Sequence, residues 1–319
     1  MIVSSACSKN TKEPATVQTT EYTEATVTSS VTETSASETT ETAETTTEEI
    51  TTAETTVTET TEAPAPVTEA PVIYDPEPEP EPPVASPVDY SSLSAAYGFE
   101  FDRDPARTWS EIAGDRGLDP SKPMIALTFD DGPGGHTERL LGILRDNNAK
   151  ATFFTVGYLI DDRSNVLRAV AADGHEIGGH SWSHTDLTSL SEQALVDEIM
   201  FTRQKIYSIT GVDTRLVRPP YGANNSFVRA VGANIGVAFI NWNVDTQDWK
   251  YRNADTVYNH TISHARHGAV ILYHDIHGTT VDAMERIIPQ LIADGYQLVT
   301  VSELMAYTGR DFVPGTVYS

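Results

Sequence analysis

The feature that most constrains this fold is an alternation of strand-like and helix-like segments that begins at Pro123. Short runs rich in branched and aromatic residues indicate strands over 125–129, 152–156, 176–178, 216–218, 237–242, 270–272 and 298–301. Apolar residues at helical spacing indicate helices over 137–147, 163–172, 191–209, 226–233, 254–267 and 281–294. We expect Thr137, Ser191 and Ser302 to cap helices. Repeated strand–helix units imply an α/β fold with a parallel sheet, open or closed.

Polar clusters follow the predicted strands at the points where those strands end. Five of them stand in order along the chain: Thr128-Phe129-Asp130-Asp131-Gly132, His180-Ser181-Trp182-Ser183-His184, Arg218-Pro219-Pro220-Tyr221-Gly222, Asp245-Thr246-Gln247-Asp248-Trp249 and Leu272-Tyr273-His274-Asp275. In an α/β barrel the carboxyl ends of the strands form the rim on which loops build the active site. The clusters therefore predict one active site assembled from several loops.

Two clusters predict a metal site. His180 and His184 are four residues apart, and on a helical turn this spacing puts both imidazoles on one face, as a pair of metal ligands requires. Asp130 and Asp131 end an apolar run and should point in different directions, so that one can hold a metal while the other faces substrate. Two histidines and one aspartate leave positions open for water and suit one divalent ion, with Zn²⁺ expected first and Co²⁺ or another first-row metal as alternatives.

The other clusters supply charged and hydrogen-bonding groups. Arg218 enters a polar rim and requires a carboxylate partner, for which Asp130 is the candidate. The two prolines after Arg218 fix the backbone, so that the Tyr221 N–H can face a developing oxyanion. Asp248 is placed to hydrogen-bond His274, to fix its tautomer and to favour its imidazolium form.

A substrate pocket is predicted beside these groups, lined by Pro220, Trp249 and Leu272. Trp182 is interpreted either as part of a sugar groove or as a packing residue. His277 lies close to His274 and is a candidate for the edge of the groove. The remaining histidines are expected in loops, in the core or on helix surfaces: His136, His175, His260, His264 and His267.

Taken together, the clusters resemble the five motifs of the NodB-type polysaccharide deacetylases (carbohydrate esterase family 4), over residues 123–308. The resemblance implies a distorted (β/α) barrel with fewer than eight complete units and a metal-dependent deacetylation. It implies that Asp131, His180 and His184 are the metal ligands. It implies the following catalytic roles: general base for Asp130, positioning of that base for Arg218, oxyanion donor for Tyr221, general acid for His274 and partner of that acid for Asp248. The stretches 244–254 and 271–281 are most similar to peptidoglycan N-acetylglucosamine deacetylases.

The N-terminal quarter of the chain has a different composition. Its first 83 residues hold 17 acidic and two basic residues, within a total formal net charge of −25. Thr, Glu and Pro dominate, and a segment without a periodic apolar stripe cannot bury enough surface to offset its ordering entropy. We predict a disordered stalk over 1–88, a lead-in segment over 89–120, the catalytic domain over 121–310 and a C-terminal tail over 311–319.

Charge, hydropathy and cysteine content exclude several functional classes. The chain is acidic without a basic stripe, which excludes nucleic acid as a partner. No apolar run is long enough to span a bilayer. Cys7 is the only cysteine, which excludes an intramolecular disulfide. Because Ser-Ala-Cys at this position resembles the end of a bacterial lipoprotein signal, we predict that the sequence begins too late and that Cys7 carries a lipid anchor.

These inferences give one leading function and several alternatives. We expect a monomeric extracellular hydrolase at the bacterial cell envelope that removes N-acetyl groups from N-acetylglucosamine residues of a β-1,4-linked glycan, with peptidoglycan as the first candidate. Chitooligosaccharide deacetylase and acetylxylan esterase are the alternatives within the class, since an acetylated polysaccharide is the substrate in each case. A stalked surface protein that only binds glycans is the alternative from another class, and it would be expected to lack a metal ligand or the base.

Overall fold

The computed structural model describes residues 95–97 and 109–319. The predicted stalk, Cys7 and much of the predicted lead-in segment lie outside the described residues. The domain predicted over 121–310 lies entirely within them. In this part of the chain no helix has both the length and the apolar character needed to cross a bilayer.

Strands and helices alternate along residues 109–319, as the sequence predicted. The strands are β1 (Met124–Gly132), β2 (Thr152–Thr155), β3 (Glu176–Gly179), β4 (Leu216–Val217), β5 (Ala238–Ile240), β6 (Val244–Asp245), β7 (Ala269–His274), β8 (Gln297–Val299) and β9 (Val317–Tyr318). The helices are α1 (Trp109–Arg116), α2 (Thr137–Asp146), α3 (Ser164–Ala172), α4 (Glu192–Thr210), α5 (Ser226–Ile235), α6 (Asp248–Tyr251), α7 (Ala254–His264), α8 (Gly278–Ala293) and α9 (Val301–Tyr307). Every predicted strand and helix overlaps one of these elements.

The described strands form one parallel sheet with the order β6-β7-β1-β2-β3-β4-β5-β9, and β8 pairs with β1. β7 pairs with β1 along 125–130, so β8 and β2, which pair with 124–126 and 128–132, share the opposite edge of β1. Among the described residues no strand pair joins β9 to β6, so backbone bonds leave the curled sheet open. This arrangement confirms the predicted distorted barrel with fewer than eight complete units.

Strand β1 lies inside the sheet and is buried along almost its whole length, as expected for a parallel strand covered on both faces. The Phe129 ring stacks with Phe153 of β2 and Tyr273 of β7, at centroid distances of 5.4 and 5.5 Å. Leu144 of α2 and Ile287 of α8 belong to the same buried cluster, and burial of such side chains contributes about 1.5–3 kcal/mol each. The packing fixes the carboxyl ends of β1 and β7, where the polar clusters begin.

Two of the predicted helix caps are wrong. Thr137 is the first residue of α2 rather than its cap, and its hydroxyl donates a hydrogen bond to Asp275. The cap of α9 is Thr300, two residues before the predicted Ser302. Thr300 accepts a hydrogen bond from the Glu303 N–H, and the Glu303 carboxylate accepts one from the Thr300 N–H. This reciprocal pair satisfies two N–H groups that would otherwise lack partners at the helix start. Ser191 caps α4 as predicted.

The flanks of the predicted domain are more regular than the sequence indicated. The lead-in segment contains α1, whose Arg116 donates to Glu303 of α9 at 2.7 Å. The segment 311–319, predicted to be a tail, contains β9, which pairs with Phe239 and Ile240 of β5. The sheet therefore extends beyond residue 310. A strand of two residues carries too little sequence pattern to be recognised without its partner strand.

Candidate metal centre and active site

Two neighbouring carboxylates at the end of β1 line one cleft. The pairing of β1 with β2 skips one residue between Asp130 and Gly132, so Asp131 forms a bulge, with a φ of 68°. In a regular strand adjacent side chains point to opposite faces, and the sequence predicted different directions for this pair. The bulge overrides the alternation, and both carboxylates lie beside the same cleft.

Three side chains converge there and form a candidate metal site. Nε2 of His184 and Nε2 of His180 lie 3.2 and 3.5 Å from Oδ1 of Asp131, and the three ligand atoms lie within 4.8 Å of one another. This Oδ1 is buried and has no hydrogen-bond partner among the described residues, so a cation would satisfy it. Two imidazoles and one carboxylate also match the donor set of open divalent-metal sites. The residues therefore fit the metal that the family resemblance implies.

The four-residue spacing of the two histidines had predicted a helical turn. In the structure they come together in a loop instead. The His180 N–H donates to the Thr155 carbonyl at 2.8 Å and continues the ladder of β3 with β2. The chain then turns at Ser181, with a φ of 61°, and the Ser181 hydroxyl accepts a hydrogen bond from the His184 N–H at 2.9 Å. His184 has a φ of 59°. Left-handed turn residues, rather than a helix, bring the two rings to a centroid distance of 5.0 Å.

A backbone carbonyl sets the tautomer of His180. Nδ1 of His180 lies 2.7 Å from the Arg218 carbonyl oxygen, and because a carbonyl only accepts hydrogen bonds, Nδ1 carries the proton. The lone pair is then on Nε2, the nitrogen nearest Asp131. Burial lowers the pKa of His180, which favours the neutral ring. A histidine held in this way is oriented as metal-binding histidines usually are.

Arg218 is fully buried, with 0 % of its surface exposed, and it orients Asp130. Its Nη1 donates to Oδ1 of Asp130 and to the Thr128 hydroxyl, both at 2.7 Å. Its Nε and Nη2 donate to the backbone carbonyls of Ile240 and Asn241, both at 3.0 Å. Asp130 is thus the carboxylate partner that the sequence predicted for Arg218. A buried ion pair is stable only when its remaining polar groups are also hydrogen-bonded, and this network meets that condition.

Asp248 is buried and orients His274. Oδ1 of Asp248 lies 2.8 Å from Nδ1 of His274 and accepts from the Trp249 N–H at 2.8 Å. Oδ2 accepts from the His274 N–H and from the Thr280 hydroxyl, both at 2.7 Å. Burial by itself lowers the pKa of His274, but the hydrogen bond and charge of Asp248, helped by the two carboxylates of β1, raise it to about 9. With Nδ1 bound to Asp248, the proton on Nε2 is the one available to a substrate.

Tyr221 lies in a left-handed turn after the two prolines, with a φ of 63°. The turn is closed by the Gly222 N–H, which donates to the Pro219 carbonyl at 3.0 Å. In the described part of the chain the Tyr221 N–H has no acceptor, and its ring packs edge-on against His184 at 4.9 Å. Pro220 is buried and is absent from the cleft lining, contrary to its predicted place in the pocket.

The cleft above the metal site has a volume of about 430 Å³. Its lining residues are Asp130, Asp131, His180, His184, Tyr221, Trp242, Asp245, Trp249, Leu272 and His274. Trp249 is 48 % exposed and Leu272 is buried, so one wall is apolar, as the sequence predicted. The cleft therefore combines apolar side chains on one side with carboxylates and imidazoles beside them.

Trp242 and Asp245 are cleft residues that the sequence analysis missed. Trp242 was interpreted as the end of a strand, and Asp245 belonged to a polar cluster without being given a role; that cluster was the only signal. Trp182, for which two interpretations were open, packs against Phe201 at a centroid distance of 6.2 Å. It lies outside the cleft lining, as do the five histidines that were expected to be structural.

Backbone strain is concentrated in the same loops. Among the described residues, left-handed φ angles outside glycine occur at Asp131, Asn148, Ser181, His184, Tyr221, Gln247 and Arg252. Three of these line the cleft, and Ser181 and Gln247 belong to the clusters that build it. The left-handed conformation costs a residue with a side chain about 1–2 kcal/mol. Strain of this kind in several converging loops is typical of functional sites.

Asp275 supports the turn that follows the two carboxylates of β1. It is fully buried and accepts a hydrogen bond from the Thr137 hydroxyl, which itself accepts one from the Gly134 N–H at 2.7 Å. A Cβ on Gly132 would lie 2.7 Å from Oδ1 of Asp275, so only glycine lets this carboxyl group pack on the turn. Burial raises the pKa of Asp275 to about 7. The sequence placed Asp275 in a cluster but gave it no role.

Known proteins are similar to this chain in sequence and in fold. The profile of the family described as polysaccharide deacetylase matches residues 117–240. Peptidoglycan-N-acetylglucosamine deacetylase PgdA of Listeria monocytogenes is 41 % identical over 181 residues, covering 56 % of this chain and 38 % of that protein. A peptidoglycan-N-acetylglucosamine deacetylase of Bacillus cereus is 33 % identical over 193 residues, covering 59 % of this chain and 90 % of that protein.

A solved structure agrees with these matches. Peptidoglycan deacetylase PdaC from Bacillus subtilis superposes with a TM-score of 0.58 and 40 % identity, covering 60 % of this chain and 94 % of that chain. The chain thus spans well under half of the length of PgdA, while it covers nearly all of the Bacillus cereus protein. On this likeness of sequence and fold, the chain belongs to the polysaccharide deacetylase family, the NodB-type enzymes of carbohydrate esterase family 4.

Proposed function

We propose that this protein is a metal-dependent hydrolase that removes N-acetyl groups from N-acetylglucosamine residues of peptidoglycan. The observation that carries the proposal is the arrangement of a metal-binding triad, a base and an acid around one cleft. The triad of Asp131, His180 and His184 lies among the residues that line it, together with Asp130 and His274. A base, an acid and a metal site beside one small pocket are the groups that amide hydrolysis requires.

The metal site and the base act on the attacking water. A divalent cation held by the triad, with Zn²⁺ as the proposed ion, would supply Lewis-acid activation of the acetyl carbonyl and of the water. Asp130 takes the proton of that water, and Arg218 keeps the carboxylate oriented through the bond between Nη1 and Oδ1 at 2.7 Å. Since Oδ1 is bound to Arg218, Oδ2 is the oxygen free to accept the proton.

Tyr221 and His274 act on the oxyanion and on the leaving group. The Tyr221 N–H donates a hydrogen bond to the oxygen on which negative charge develops. His274 gives its Nε2 proton to the departing amine, while Nδ1 remains bonded to Asp248. A pKa of about 9 keeps His274 charged at neutral pH, so the acid is ready before substrate binds.

The names of the relatives support peptidoglycan as the substrate. PgdA and the Bacillus cereus protein are both named as deacetylases of N-acetylglucosamine in peptidoglycan. That substrate places the proposed enzyme outside the cell membrane, at the envelope. The lipid anchor on Cys7, the stalk over 1–88 and the monomeric state remain predictions from the sequence. Hydrolysis of acetyl esters on xylan, or of N-acetyl groups on chitooligosaccharides, would use the same groups.

Acetate release distinguishes these substrates. The full chain is incubated with purified peptidoglycan, chitooligosaccharides and acetylated xylan, with and without a chelator, and acetyl loss is followed by mass spectrometry. Peptidoglycan is expected to lose acetyl groups fastest, and the chelator should stop the reaction. Faster reaction with xylan would favour the esterase, and binding of glycan without acetate release from any substrate would favour a binding protein.

Substitutions in the cleft test the separate roles. Asp130→Asn and His274→Ala should each lower turnover by about 10²–10⁴-fold and leave the bound metal, measured by elemental analysis, unchanged. His180→Ala should lose the metal. Asp245→Asn removes a charge from the same cleft outside the proposed machinery and serves as the matched control. Loss of metal from Asp130→Asn would show that the base and the ligand have been assigned the wrong way round.

A further inference from the structure

An arginine lies beside the catalytic cleft and has no part in the mechanism above. Arg252 follows α6, the helix that carries Asp248 and Trp249. Its Nε donates to the Trp249 carbonyl at 2.7 Å, and its Nη1 lies 2.8 Å from Nδ1 of His277. The His277 ring is 5.9 Å from the ring of His274. The guanidinium is therefore fixed between Trp249, which lines the cleft, and His277, the neighbour of the proposed acid, although neither Arg252 nor His277 is itself a lining residue.

Hydrogen bonding fixes the orientation of His277 as well. A guanidinium has no acceptor, so Nδ1 of His277 accepts the bond from Arg252. The proton of the neutral ring is then on Nε2. Arg252 and His277 therefore each keep N–H groups that the bond between them does not use.

Within the described residues, Arg252 is an exposed arginine without an acidic partner, in contrast to three others. Arg139, Arg145 and Arg286 each form an ion pair at 2.5–2.7 Å. Among residues 95–97 and 109–319 no carboxylate forms an ion pair with Arg252. The nearby carboxylate of Asp248 is buried and already accepts four hydrogen bonds. In a chain with a net charge of −25, an immobilised cation that faces no acid is available to an external anion.

The backbone at this position is strained as well. Arg252 has a φ of 48°, in a region that a long side chain rarely adopts. The bonds to Trp249 and His277 hold it there and tie its guanidinium to the rim of the cleft. These bonds use Nε and Nη1, and no hydrogen bond within residues 95–97 and 109–319 uses Nη2, so this group can bind a ligand.

We propose that Arg252 and His277 form a subsite for a carboxylate carried by the glycan, next to the position of the acetyl group that is removed. The inference rests on the proposed function and deepens it, because it names the feature of the substrate that the cleft recognises. A guanidinium with planar N–H donors matches a carboxylate in geometry and charge. Peptidoglycan carries carboxylates on its stem peptides, and on the lactyl groups of those muramic acid residues that have lost their stem, whereas oligomers of N-acetylglucosamine carry none.

The test compares substrates that differ in that carboxylate. One is peptidoglycan with intact stems, and the second is the glycan after an amidase has removed the stems and freed the lactyl carboxylates. The third is this stem-free glycan after chemical reduction of its carboxyl groups. The fourth is a chitooligosaccharide. Arg252→Gln should lower kcat/KM about tenfold on the carboxylated glycans, mainly through KM, and less than about twofold on the neutral ones.

Two further variants control for charge and for structure. Arg266→Gln removes an exposed arginine outside the cleft lining, whose donors within the described residues bond to the backbone carbonyls of His264 and Asn243. It should leave kcat/KM unchanged on both classes of substrate. Arg252→Lys keeps the charge but loses the planar donors, so it should recover part of the loss on carboxylated glycans.

Each outcome bears on the proposal. A loss confined to stripped glycan identifies the lactyl carboxylate, and a loss confined to intact peptidoglycan identifies the stem peptide; both support the subsite. Equal losses on charged and neutral glycans would show that Arg252 only supports Trp249, and no loss on any glycan would also overturn the inference. Failure of the unaltered protein to release acetate from every substrate contradicts the proposed function itself, which is a separate result.

Discussion

Asp248→Asn should lower the pKa of His274, the proposed acid, while it leaves the side chain at position 248 almost unchanged in shape. Asp248 accepts hydrogen bonds from Nδ1 and from the backbone N–H of His274, at 2.8 and 2.7 Å. Asparagine has almost the same volume, but it carries no charge, and one of its two terminal groups is a donor. One of the two His274 donors would therefore face an NH₂ group in place of an oxygen.

The size of the effect follows from the pKa of His274. It stands at about 9 against an ordinary value of 6.5, and a difference of about 2.5 pH units corresponds to about 3 kcal/mol. The hydrogen bond and charge of Asp248 are the largest causes that raise it, while burial lowers it. In the Asn variant we expect the pKa of His274 to fall by about 2 pH units, to near its ordinary value.

Two measurements report this change. The alkaline limb of the profile of kcat/KM against pH, measured by acetate release, should move down by about 2 pH units. Because the pKa of His274 is raised in the folded protein, its contribution to stability is complete below pH 6.5 and is lost as the pH rises through about 9. Urea unfolding of the protein, freed of metal with a chelator, should show that the free energy of unfolding declines by about 3 kcal/mol over that pH window. The variant should lack this decline.

Asp245→Asn is the matched control for this experiment. Asp245 lines the same cleft, and its Oδ1 accepts a hydrogen bond from the Gln247 N–H at 2.8 Å. The hydrogen bonds of His274 within the described residues go to Asp248 and not to Asp245. Its removal should leave the alkaline limb in place. An alkaline limb in Asp248→Asn that stays within about half a pH unit of the unaltered protein would refute the reasoning, since Asp248 would then not control the acid.

Two further predictions concern stability, each measured by urea unfolding. Arg218→Met leaves Asp130 buried without its partner and should lower the free energy of unfolding by about 3–5 kcal/mol; a loss below about 1 kcal/mol, the value for an exposed pair, would contradict the network described. Gly157→Ala would place a Cβ 2.5 Å from the Trp182 ring and should destabilise the protein by about 1–3 kcal/mol. Gly142→Ala, inside α2 where a Cβ meets no neighbour within 4 Å, should instead stabilise it by about 0.5–1 kcal/mol, and equal effects of the two alanines would count against the packing argument.

The central strands were predictable because their burial is written in local sequence. Strand β1 is buried on both faces, so it reads as the continuous apolar run from Ile125 to Phe129. The partner of a buried charge was predictable for a similar reason. Arg218 at the end of a strand requires an acid within reach, and Asp130 is at the corresponding end of β1. Rules of burial and charge pairing thus gave the sheet and part of the site.

The local geometry of the ligands was not predictable, because it depends on neighbouring backbone. Asp131 lies in a bulge that exists only in the register of β1 against β2. The four-residue spacing of His180 and His184 suggested a helix, whereas the bond from the His180 N–H to the Thr155 carbonyl continues a strand ladder and excludes one. Spacing indicates that two residues can meet, but the partner strand determines the backbone path between them.

The buried guanidinium of Arg218 both links distant strands of the sheet and orients the proposed base, so the stability of the fold and the reaction depend on the same side chain. Arg218 follows β4, yet it binds Thr128 and Asp130 of β1, although β2 and β3 stand between those strands in the sheet. It also donates to two backbone carbonyls at the end of β5. One side chain therefore links three strands across a sheet that backbone pairing does not close. Redesign of this enzyme for other sugars should therefore vary exposed rim positions such as Trp249 and leave this internal brace untouched.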